Sequence, residues 1–112
     1  MKYKELLKTL KDNTKGTNFD VFPLSTFVVD YTHKIIVSAI WDTKITGEFS
    51  VVRIIIYFNE PSGAYSVDIT ENRKYVAAFK GKCDLKICGT MKGLFHAYDK
   101  INKERAKFYN SL

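Results

Sequence analysis

Cysteine is nearly absent from this chain. Two in 112 residues, Cys83 and Cys88, cannot build the disulfide framework of a small secreted domain. Proline is equally scarce, at two, and arginine supplies only Arg53, Arg73 and Arg105 among eighteen basic residues. The planar guanidinium is preferred for two-pronged recognition of phosphates and bases, so a lysine-dominated chain has little of that equipment. No apolar run approaches the roughly 20 residues of a membrane span, because Arg53 interrupts the longest, "VVRIIIYF". The N-terminal "MKYKELLKTLKDN" has no continuous apolar segment of signal-peptide length. These absences predict a cytoplasmic protein, complete from Met1 and not bound to a membrane. Internal repeats and low-complexity tracts are missing too.

Catalytic and metal-binding patterns are also lacking. Cys83, Cys88, His33 and His96 have the ligand types of a structural zinc site but none of its spacing. The five-residue step from Cys83 to Cys88 is not that of a redox pair, and on a strand it spans roughly 16 Å, too far for a disulfide. Pairing Cys83 or Cys88 with His96, or Ser38 with His33, finds no support in a local nucleophile signature such as G-x-S-x-G. Asp68 and Glu71 read as strand-end groups. The expectation is a protein without enzymatic activity, cofactor or metal.

What the chain does contain is hydrophobic and aromatic material, 46% and 14%, enough for one domain with its own core. Tyr3, Leu6, Leu7 and Leu10 give residues 2–12 the periodicity of an amphipathic helix, which Gly16 and its polar neighbours end. "FDVFP" leads into strands: 24–31, with Phe27, Val29 and Tyr31 on one face, then 35–41 after a turn at "THK". "DTKITGE" is a loop. Residues 49–58 form the strongest strand, and after the turn "NEPSGA" residues 65–70 alternate apolar and polar. Residues 71–82 suit a strand or a Thr70-capped helix, and the strand is preferred. "CDLKIC" reads as a short strand with Cys83, Leu85 and Ile87 on its packed face. Residues 91–108 form a second helix, with Met91, Leu94, Phe95, Tyr98 and Ile101 as its apolar stripe and Thr90 as N-cap. Short connections favour a meander. The fold class is therefore α+β: an antiparallel sheet of four to six strands with a short N-terminal and a longer C-terminal helix packed on it.

Strand 49–58 is apolar on both faces apart from Arg53, so each face has a claim to cover. The second claimant is the first helix, a curled sheet or a partner chain, which leaves a homodimer open.

Charge supplies the functional expectation. The net charge of +6 is distributed as +3 over residues 1–16, −3 over 17–70, +4 over 71–92 and +2 over 93–112. Basic ends and an acidic centre suit steered docking on a macromolecule. "GTMKG" at the start of the second helix resembles no Walker A loop, but a helix N-terminus beside Lys80, Lys82, Lys86 and Lys92 could receive an anion. Lys100, Lys103 and Lys107 extend the basic surface. Trp41, with the turn acids Asp42 and Glu48, is a second patch, and Trp41, Tyr31, Phe22 or Phe58 would serve as anchors if exposed. The predicted function is non-enzymatic binding of a protein or nucleoprotein partner, of the inhibitor or adaptor kind found in small virus- or mobile-element-encoded proteins. The alternative is direct nucleic-acid binding, although no RNP1, helix-turn-helix or finger signature is present.

Overall fold

A computed structural model describes residues 2–29, 31–43, 48–82 and 85–111, with residues 25–29, 43, 48–49, 82 and 85–90 described by their backbone alone. The element order is α1 (Tyr3–Asn13), β1 (Asp20–Val29), β2 (Thr32–Thr43), β3 (Glu48–Asn59), β4 (Ala64–Glu71), β5 (Lys74–Lys82) and α2 (Leu85–Asn110). The strands form one antiparallel sheet in the order β1-β2-β3-β4-β5. The expected α+β meander, with a short first helix and a longer second one, is the fold observed.

Alternation decides which side of each strand is buried. Ile35, Val37, Ala39 and Trp41 of β2, Val52, Ile54, Ile56 and Phe58 of β3, and Val67 and Ile69 of β4 all point to one side. Leu6 and Leu10 of α1, Phe19, and Met91 and Phe95 of α2 complete the same cluster. Both helices therefore lie on one face of the sheet. The first helix does not cover the second apolar face of β3, which the described residues leave open.

The turns have local causes. In the β3–β4 turn, Asn59 Oδ1 accepts from Ser62 N at 3.1 Å and Ser62 Oγ at 2.7 Å. Gly63 follows with φ 71°, a conformation that costs glycine little. The β4–β5 hairpin turns on Asn72 and Arg73, with φ 49° and 69°, the paired positive values of a two-residue type I′ loop. Asn72 also ties this hairpin to β3. Its N–H donates to Val51 O at 2.9 Å, and its Oδ1 accepts from Val51 N at 2.9 Å. Pro23 sits on edge strand β1, where a missing N–H is tolerated.

Several boundaries move. β1 begins at Asp20, so "FDVFP" belongs largely to the strand. "THK" opens β2 instead of turning the chain. Asp42 and Glu48 lie within β2 and β3 and not in a loop, and Asp42 pairs in register with Phe49; residues 44–47 fall outside the described set. The preferred strand over residues 74–82 is β5. The largest correction concerns "CDLKIC". Leu85–Cys88 are the first residues of α2, not a strand, and Cys83 and Asp84 lie outside the described residues. Thr90 is therefore inside the helix and is no N-cap. A glycine inside a helix costs about 1 kcal/mol, yet α2 runs through Gly89.

Candidate functional site

Alternation and helical spacing sort the candidate residues onto two surfaces, on opposite sides of the sheet. The first is the outer flank of α2. Lys92, Lys100, Lys103 and Lys107, with His96, follow the i, i+4, i+8, i+11, i+15 spacing that places them along one side of a helix. All five are exposed. On an adjoining flank Ile101 and Phe108, seven positions apart, are 51% and 61% exposed. Phe108 makes an edge-on contact with Tyr109, ring centroids 5.6 Å apart. The exposed Lys4, Lys8 and Lys11 follow the same helical logic on α1.

These lysines are not equivalent. Lys103 Nζ lies 2.8 Å from Asp99 Oδ2 and donates to Gly16 O at 3.3 Å, so it joins α2 to the loop after α1. Asp99 is the centre of that joint, and charge placement alone did not single it out. It is buried, and its Oδ1 accepts from Trp41 Nε1 and from Asn18 N, each at 3.0 Å. Burial pushes its carboxyl pKa up. The hydrogen bonds from Lys103, Asn18 and Trp41, with the Lys103 charge, outweigh burial and hold it below the ordinary 3.8. A signal was present in the sequence: Asp99 and Lys103 are four apart on a helix whose other face is apolar.

Two neighbours extend the joint. Ser50 Oγ donates to Asn102 Oδ1 at 2.9 Å, and Asn102 Nδ2 to Tyr98 O at 2.8 Å. Burial first, then the charge of Glu71 and the hydrogen bond to it, raises the Tyr98 hydroxyl pKa.

Trp41 is therefore not the exposed anchor that the sequence suggests. It is 2% exposed, its indole N–H is satisfied by Asp99, and its ring meets Phe19 edge-on at 5.6 Å. Phe58 is fully buried as well. Asp42 is exposed at an outward register position, separated from Trp41 by the sheet. Of Glu48, Lys82, Lys86 and Thr90 only the backbone is described: Glu48 opens β3, Lys82 closes β5, and Lys86 and Thr90 lie in the first two turns of α2.

Lys80 lies on the second surface, the open face of the sheet. Here the rows read, strand by strand, Phe22–Ile36–Ile55–Asp68–Ala78, Leu24–Lys34–Tyr57–Ser66–Lys80 and Asp20–Ser38–Arg53–Thr70–Tyr75. Phe22 is 49% and Ile40 55% exposed. A trough of about 880 Å³ runs between Ile40, Val51, Ile55 and Thr70, with Arg53, Asn72 and Arg73 at its rim. Lys34 Nζ sits 5.7 Å from the centre of the Tyr57 ring.

Among the described residues the conceivable catalytic pairs do not assemble; the pairing of Cys83 with His96 lies outside them. Ser38 points to the open face and His33 to the covered one. His33 stacks on Tyr3 at 3.8 Å, 3.7 Å from Glu60. His96 Nε2 instead meets Asn13 O at 2.9 Å, at the other end of α1. Cys88 and His96 are eight residues apart on one helix, about 12 Å along its axis, beyond hydrogen-bond reach. Among the described residues no three His, Cys, Asp or Glu side chains cluster as metal ligands would, and no helix is long and apolar enough to cross a membrane. No protein-family model, curated protein or solved structure matches the chain.

Proposed function

We propose that this chain is a non-enzymatic interaction protein that engages an acidic protein or nucleoprotein surface through the outer side of α2, as an inhibitor or adaptor does. The observation that carries this reading is the double character of that helix. Lys92, Lys100 and Lys107 stand exposed on one flank, while Ile101 and Phe108 stand exposed on the next. Lysines steer a charged partner and set its orientation, and exposed aliphatic and aromatic groups supply the desolvated contact that holds it.

Direct nucleic-acid binding is the second reading, supported by the same lysines and by the Phe108–Tyr109 pair as a stacking platform. The apolar Ile101 beside Phe108 favours a protein. One comparison separates the two. The wild type, a Lys92→Glu/Lys100→Glu/Lys107→Glu variant and a Phe108→Ser variant are used as bait in nuclease-treated extract, and each is titrated with mixed DNA and RNA oligonucleotides at two salt concentrations. Nuclease-resistant capture lost in both variants supports the protein reading. Oligonucleotide binding that collapses with salt and with the triple variant supports the second. Neither result at low salt sinks both. Lys103 is kept in all variants because its charge belongs to the Asp99 joint.

A further inference from the structure

We infer that the open face of the sheet is the contact surface of a homodimer, formed by two copies packing sheet on sheet about a two-fold axis parallel to the strands and lying between β2 and β3. This does not rest on the reading of α2, which lies on the other side of the sheet.

Charge selects the second copy over other occupants. A chain of net charge +6 repels its own kind unless the meeting surfaces are close to neutral. On the strands of the open face the charged residues whose side chains are described are Asp20, Asp42 and Asp68 against Lys34, Arg53 and Lys80, with Lys82 two register positions beyond Lys80 at the end of β5 and Arg73 at the rim, a balance close to neutral beside the chain's +6. The lysine-bearing flanks of α1 and α2 face away from it. An acidic partner would find its complement on the helices, and a strongly basic one would find it on neither side.

Geometry then makes the face self-complementary. A two-fold axis between β2 and β3 lays β2 of one copy over β3 of the other. Ile36 meets Ile55 of the second copy, Ile40 meets Val51, and Lys34 meets the Tyr57 ring, each pair occurring twice. Phe22 falls beside the Ile36–Ile55 contact. The Asp20–Ser38–Arg53 row then runs Asp20, Arg53 of the second copy, Arg53, Asp20 of the second copy at one-strand intervals, so each of the two adjoining Arg53 side chains has an Asp20 of the other copy beside it. Aligned sheets pack about 10 Å apart, which long side chains bridge. An axis between β2 and β3 leaves β5 of each copy overhanging, so four facing strands about 4.8 Å apart and roughly 25 Å of strand give about 480 Å² of projected face per copy. The total of about 960 Å² falls below the standard range and within that of weak, transient interfaces, so the dimer is expected to exchange with monomer.

The test is sedimentation equilibrium with size-exclusion light scattering, from low micromolar to near-millimolar protein. The expected result is a monomer–dimer equilibrium. Ile55→Asp should weaken it at least tenfold, with circular dichroism confirming a folded chain. Arg53→Asp and Asp20→Arg provide a second route that leaves the apolar rows alone. Each variant by itself should be monomeric, because like charges then face each other twice. Mixed one to one they should form a heterodimer, because both charge pairs are restored. A chain that stays monomeric throughout the range overturns the inference. So does a dimer indifferent to Ile55→Asp, or a mixture of the two charge variants that fails to associate. If the monomer nevertheless loses capture of another protein through Ile55→Asp, the face belongs to that protein instead.

Discussion

Asp99 is buried where β2, the loop after α1 and α2 meet. Its carboxylate joins β2, the loop after α1 and the body of α2 through three donors. A carboxyl whose folded pKa is depressed binds protons more weakly folded than unfolded. Its contribution is therefore complete above the ordinary aspartate value of 3.8 and lost as pH falls through the lower folded value. Asp99→Asn should cost about 1–3 kcal/mol at neutral pH, the range for disturbing a buried hydrogen-bonded group. It should also flatten the decline in stability below pH 4. Urea titrations of both proteins across that range measure this; equal acid slopes would show that Asp99 is not a proton-linked site. Trp41 reports on the same joint. As the only tryptophan, and a buried one, it should emit at blue-shifted wavelengths when folded and move to the red on unfolding. An already red-shifted native spectrum would contradict its burial.

At the scale of elements, the hairpins explain which parts were legible. Residues 35–41, 49–58 and 65–70 announce strands because alternation is a property of neighbours along the chain. Residues 74–82 leaned to strand for the same reason, with Tyr75, Ala77 and Phe79 two apart; a β-bulge beside Thr70 then turns Tyr75 to the open face while Ala77 and Phe79 face the covered one. The start of α2 at Leu85 was illegible because "CDLKICGT" alternates over a few residues and contains Gly89, and neither signal is one that opens a helix. Trp41 looked like an anchor because a half-buried strand does not reveal which of its faces is covered. The same reason hides the open face: Ile36, Ile55 and Tyr57 read as core until both helices are seen on the other side. The β4–β5 loop offers a direct check. Arg73 at φ 69° occupies a conformation that L-residues with a Cβ avoid at about 1 kcal/mol. Arg73→Gly should therefore stabilise the fold by about 0.5–1 kcal/mol despite the flexibility it adds to the unfolded chain. A fall in the thermal midpoint would mean the Arg73 side chain contributes more than its backbone costs.

For the whole molecule, the exposed lysines of α2 and the open sheet face lie on opposite sides. Salt should affect the two surfaces differently. Screening should weaken any complex made through Lys92, Lys100 and Lys107. It should affect the open sheet face far less, because apolar rows dominate there. Titrating partner binding and self-association across one salt series checks this. Parallel loss of both would mean that electrostatics governs both surfaces.

The strand order has a consequence in time. Every strand pairs with the one next to it in sequence, so the sheet can zip together one hairpin at a time. Among the described residues the contacts of longest range tie α1 and the loop after it to α2: Leu6 and Leu10 join Met91 and Phe95, and Asn18 joins Asp99, more than 80 residues away. Chains dominated by near-neighbour pairing fold quickly, and late-forming contacts govern unfolding more than folding. Stopped-flow measurements on Trp41 should therefore find that Ile54→Val in β3 chiefly slows folding, whereas Leu10→Ala in α1 chiefly speeds unfolding. The first helix would be the last part to arrive and the first to leave, and the rate of its departure would set the lifetime of the native state.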